Sequence, residues 1–124
     1  MTRRLSIPFI VCALMLSVQA LFAADITGKW TASFDTQIGE QSYTYDFVVK
    51  DSTLTGKYKS NIAEGEILEG KVDGDKVTFV ELLTFEGNQV RIVYTGKIVS
   101  GDEIQFTRQV ADFATEQLVA RRSK

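Results

Sequence analysis

Glu81 and Arg108 are the residues of this chain best placed to do chemistry. Each interrupts an apolar row that recurs at every second residue. One row is Phe79, Glu81, Leu83 and Phe85; the other is Ile104, Phe106, Arg108 and Val110. A charge among apolar side chains is costly unless it is paired and hydrogen-bonded. The pattern predicts that Glu81 and Arg108 meet in the interior of the fold or at its mouth. There they pair with each other, with Glu116 or Tyr94, or with a polar ligand. Two alternatives stand beside this: an internal ion pair without a ligand, or strands whose inner face is the other one, filled by Val80, Leu82 and Val93. Tyr43, Tyr45 and Tyr94 complete the candidate ligand site with Glu81 and Arg108. The rings of Tyr43, Tyr45 and Tyr58 suit stacking on a sugar, or packing in a core with the hydroxyl turned outward.

Other acids invite weaker readings. Two carboxylates hydrolyse a glycoside when set roughly 5 Å or 6.5–9.5 Å apart. Glu64 and Glu66 share one face of any strand that carries them, and a solvated face near a turn is the preferred reading of them. Asp73-Gly74-Asp75 lacks the spaced oxygen ligands of a calcium loop and reads as a hairpin turn. From residue 25 onward there is no His and no Cys. That excludes a Ser-His-Asp triad, a Cys-His pair and an ordinary zinc site. Gly-Lys occurs at Gly28, Gly56, Gly70 and Gly96 without the rest of a phosphate loop. Glycine inside a strand marks a bend, a bulge or a close approach. No catalytic residue, metal or cofactor is assigned.

The elements that must position these side chains are strands. Eight runs alternate with period two: Trp30–Phe34, Tyr43–Val49, Leu54–Tyr58, Leu68–Val72, Val77–Phe85, Val90–Ile98, Ile104–Val110 and a last run around Leu118–Ala120. Leu68, Gly70 and Val72 read as one face. The breaks carry turn chemistry at Ile38-Gly39-Glu40, Asp51-Ser52, Asp73-Gly74-Asp75, Glu86-Gly87-Asn88 and Ser100-Gly101-Asp102. Connections this short force antiparallel neighbours. The expected fold is all-β, an up-and-down meander of about eight strands closed into a small barrel. Closure removes the two exposed edges. A barrel of this size is filled by side chains or holds one small ligand. Residues 109–116 fit either one helical turn or a tight β corner.

Residues 1–23 read as a secretory signal: Arg3 and Arg4, then a mostly apolar run from Ile7 to Leu16, then small residues at Ala23 and Ala24. Cys12 lies within that run and is not a lipid-attachment cysteine. Residues 24–124 then form a single barrel domain, secreted or periplasmic. It keeps 12 basic and 16 acidic side chains, a net charge of −4. That disfavours nucleic acid and anionic lipid surfaces, which want a basic face.

Ile26-Thr27-Gly28-Lys29-Trp30-Thr31 resembles the opening strand of the avidins and the Gly-x-Trp opening of the lipocalins. Leu54-Thr55-Gly56-Lys57-Tyr58 is similar to the third avidin strand. The lipocalin resemblance implies a basic residue from the last strand packed over Trp30, Arg121 or Arg122. An Arg121–Trp30 cation–π pair, worth about 0.5–2 kcal/mol, would be a structural clasp closing the barrel. Asp35-Thr36-Gln37 replaces the first polar set of the avidin site, and no second Trp follows, so biotin binding does not carry over. Phe34–Gly39 and Asp112–Glu116 also resemble a secreted bacterial β-domain associated with carbohydrate-active hydrolases. Together these features describe a non-catalytic binding barrel for a small amphipathic molecule or a glycan. A carboxylate-based carbohydrate-active enzyme and a purely structural or protein-interaction module are the competing readings.

Overall fold

The computed structural model describes residues 25–123; the expected signal segment, residues 1–23, lies outside them. The strands are β1 (Gly28–Thr36), β2 (Gly39–Lys50), β3 (Thr53–Ser60), β4 (Glu64–Glu66), β5 (Leu68–Asp73), β6 (Lys76–Phe85), β7 (Asn88–Ser100), β8 (Glu103–Val110) and β9 (Ala114–Arg122). All pairings are antiparallel, and β9 returns to β1. β3 pairs with β4 through Lys57–Lys59 and with β5 through Thr53–Leu54. β4 and β5 are thus one interrupted strand, and the sheet is an eight-stranded closed barrel in meander order.

The interruption corrects one reading of the alternation. The β5–β6 register shifts between Leu68 and Lys71, where Glu69 has a positive φ of 53°. A bulge changes which face each residue occupies. Leu68 is therefore 37% exposed, whereas Ile67 and Val72 are buried. Residues 109–116 form a β corner: Val110 pairs with Ala114 around a turn led by Ala111 at φ 44°.

The turns divide between two ends. The connections β2–β3, β5–β6 and β7–β8 gather at one end with the start of β1 and the end of β9. This end is sealed. Trp30 is fully buried and donates its indole N–H to the Ile26 carbonyl at 2.9 Å. The Arg122 guanidinium lies 4.7 Å from the Trp30 ring centre and donates to the carbonyls of Thr27 and Gly101. The clasp is thus Arg122, not Arg121. Register explains the correction: Trp30 faces Arg122 across β1–β9, so the two share the inner side, and Thr31 faces Arg121 on the outer side. Arg121 pairs there with Glu103 at 2.9 Å. Above the seal, Phe47, Phe79, Phe106, Ile104, Leu54, Val72 and Val77 fill the barrel.

Candidate functional site

The barrel changes character toward the other end, where the β1–β2, β3–β4, β6–β7 and β8–β9 connections lie. Above the apolar filling comes a polar layer. Tyr94 faces Arg108 across β7–β8, and Arg108 faces Glu116 across β8–β9. Cross-strand neighbours on one face are within side-chain reach, which makes these three a continuous inward row. Glu81 on β6 and Tyr43 and Tyr45 on β2 meet the row from across the interior.

The hydrogen bonds fix the phenol protons of this layer. Glu81, 0% exposed, accepts from Tyr43 Oη at Oε2 (2.7 Å) and from Tyr94 Oη at Oε1 (2.9 Å). Each phenol oxygen in turn accepts from Arg108: Nε donates to Tyr94 and Nη2 to Tyr43, both at 2.9 Å. A phenol has one proton to give. Tyr94 gives its proton to Glu81, so in the 2.9 Å contact between Tyr45 and Tyr94 the donor is Tyr45. Arg108 Nη1 donates to Glu116 Oε1 at 2.5 Å. The guanidinium also lies 5.2–5.6 Å from the ring centres of Phe34, Tyr43 and Tyr94.

Burial dominates the electrostatics. It pushes the Glu81 carboxyl above its ordinary value, against the pull of Arg108 and of the two phenols. It also pushes the Tyr45 and Tyr94 phenols well above theirs. The phenols therefore stay protonated, and they donate.

The polar layer is the floor of a cavity of about 350 Å³ that opens at the mouth. Arg108, Tyr43, Glu116 and Gln41 contribute to its lining, and Leu83, Phe85, Val90, Ile92 and Val110 give it apolar walls. Ile38, Ile62 and Phe113 stand at the rim, with Phe113 71% exposed. Of the residues proposed from sequence, the structure brings Tyr43, Tyr45, Glu81, Tyr94 and Arg108 into one network. Only Tyr43 and Arg108 reach the cavity; Tyr45, Glu81 and Tyr94 lie one layer deeper.

Gln41 escaped the sequence reading. It is 4% exposed, and its Oε1 has no hydrogen-bond partner. The signal was present, because Gln41 stands two residues before Tyr43 on the row Tyr43, Tyr45, Phe47. It heads that inward row as a polar side chain, where Glu81 and Arg108 stand within theirs. Glu64 and Glu66 are elsewhere, exposed on β4 opposite Lys59 and Lys57. Tyr58 is buried and donates to the Leu82 carbonyl at 3.1 Å, and its ring packs against Tyr43. Among the described residues no three of His, Cys, Asp or Glu gather in a group that could hold a metal. No family model matches the chain, and no curated protein or solved structure matches it.

Proposed function

We propose that this protein is a non-catalytic binding barrel, exported to the periplasm or beyond the cell, that holds one small amphipathic molecule in its open end. The observation that carries this reading is the asymmetry of the barrel. One end is closed by Trp30 under Arg122, and the other holds a cavity of about 350 Å³ with apolar walls and a polar floor. Small-molecule sites are mostly apolar concavities of roughly 300–1,000 Å³ with a few convergent polar groups. Gln41 Oε1, buried without a partner, is an acceptor that a ligand would satisfy.

Kinship with the avidin and lipocalin barrels is part of the proposal. It is supported by the closed eight-stranded meander and by the opening Trp30 lying under a basic residue of the last strand. An amphipathic ligand suits the walls better than a glycan does. The tyrosine faces proposed for sugar stacking are already packed: Tyr43 stacks on Tyr45 at 5.4 Å and on Phe34 at 5.5 Å. A carboxylate enzyme is less well supported, because Glu81 sits beneath two phenols that hold both of its oxygens.

Thermal-shift screening of the protein with small amphiphiles and with glycans tests the reading. The expected result is saturable stabilisation by amphiphiles. A ligand at a hundred times its Kd adds about 2.7 kcal/mol, which is readily detected. Stabilisation by none of them would favour a structural module.

A further inference from the structure

We propose that the cavity selects amphiphiles whose head group donates hydrogen bonds and carries positive charge: an alkylammonium rather than a fatty carboxylate. This rests on the binding reading above and specifies its ligand class. A buried arginine at the floor of an apolar cavity looks at first like a receptor for a carboxylate. The network says otherwise. Arg108 has five N–H bonds to give. Three are committed to Tyr94, Tyr43 and Glu116, and Nη2 also stands 3.6 Å from Glu81.

The charges agree. One guanidinium faces two carboxylates, Glu81 and Glu116, and Glu86 stands at the cavity lining as a further acid. Arg108 is the one cation among the lining residues. An incoming carboxylate would therefore add negative charge to a site where acids already outnumber bases. It would do so where charges are poorly screened.

Two Arg108 N–H bonds remain, one on Nη2 beside Glu81 and one on Nη1 beside Glu116, and the buried side-chain atom left without a partner is an acceptor. Glu116 commits Oε1 to Arg108, which leaves Oε2 to receive a donor. Gln41 Oε1 is buried and unpartnered at the same floor. A head group with N–H or O–H bonds satisfies both, and a positive charge on it offsets the excess acid. The apolar body then lies along Leu83, Val90, Ile92 and Val110.

Calorimetric titration with octylammonium, octanol and octanoate, each kept below its micelle concentration, tests the assignment. Octylammonium is expected to bind at least about tenfold more tightly than octanoate, with octanol between them. Glu116→Gln is expected to narrow the octylammonium–octanoate ratio. Gln41→Leu is expected to weaken octylammonium and octanol and to spare octanoate. Should either variant fail to fold, the ratio measured on the unaltered protein decides alone. Octanoate binding as tightly as octylammonium would overturn the head-group assignment and leave the binding reading standing. No saturable binding of any of the three would overturn both.

Discussion

Arg108 Nη2 stands 3.6 Å from Glu81 Oε1, yet the two charges exchange no hydrogen bond. Tyr94 and Tyr43 stand between them, each taking an N–H from the guanidinium and passing an O–H to the carboxylate. Two phenols thus turn one buried ion pair into a closed ring of directed hydrogen bonds. Breaking a buried pair from one side leaves an uncompensated charge and costs about 3–5 kcal/mol. Glu81→Leu and Arg108→Met are each expected to lose that much in urea unfolding. The double variant is expected to fall short of the summed losses by about 0.5–3 kcal/mol, the usual coupling of contacting residues. Additive losses would show that the ring does not act as a unit.

The same ring carries a pH dependence. The folded-state pKa of Glu81 is raised above its ordinary 4.5, chiefly by burial. The folded state then holds this proton more tightly than the unfolded chain does. The stability linked to it is fully present below the ordinary value and is lost as pH rises through the folded-state value. Glu81→Gln removes the titration. Urea midpoints followed from about pH 4 to pH 8 should fall more steeply for the unaltered protein than for the variant. Parallel curves would contradict the assignment.

The barrel was legible because its signals are local. Alternation and Gly-Asp turns name each strand and each hairpin, and eight antiparallel runs have few ways to hide their edges. The Glu81–Arg108 meeting was legible for the same reason: a charge on an apolar row has to find a partner. What parity cannot carry across is a bulge. The positive φ of Glu69 moved Leu68 outward and Ile67 inward, and nothing in the alternation marks it. The choice between Arg121 and Arg122 turned on parity in the last strand: Leu118 and Ala120 face inward, and Arg122 continues their row, which the β1–β9 register sets opposite Trp30. The cavity is a matter of volume, set by how far side chains from many separate strands fail to meet at the mouth, and no single segment encodes that.

The register yields its own expectation. Arg122→Ala removes a cation–π contact over Trp30 together with two hydrogen bonds to backbone carbonyls. A loss of about 2 kcal/mol is expected from these terms together. Arg121→Ala removes an ion pair on the outer surface, where such pairs contribute about 0–1 kcal/mol. Denaturation of the two variants side by side decides which arginine closes the barrel.

The repeated glycines make a sharper test of curvature. A Cβ on Gly56 would fall 1.8 Å from the Asp46 carbonyl oxygen, and one on Gly70 would fall 2.1 Å from that of Leu54. Both obstacles are backbone, so neither yields without moving a neighbouring strand. Gly56→Ala and Gly70→Ala are each expected to destabilise by about 3 kcal/mol or more. Gly101→Ala meets nothing within 4 Å and is expected to stay within about 0.5 kcal/mol of the unaltered protein. Near-equal stabilities would mean that the strands do not approach as closely as the barrel requires.

Binding at the mouth separates from folding if the cavity is the site. Ala114 lies in the cavity lining at the start of β9, away from the hydrogen-bonded ring. A tryptophan there adds a large apolar body to the cavity wall and removes none of the hydrogen bonds among Tyr43, Glu81, Tyr94 and Arg108. Ala114→Trp is therefore expected to keep its unfolding midpoint within about 1 kcal/mol of the unaltered protein. Its affinity for an amphiphile that stabilises the unaltered protein should fall by roughly a hundredfold, since a filled pocket forfeits the apolar burial that drives binding. Unchanged affinity in a folded variant would place the ligand elsewhere. The outer surface would then be the region to probe, beginning with the exposed Leu68 and Val93.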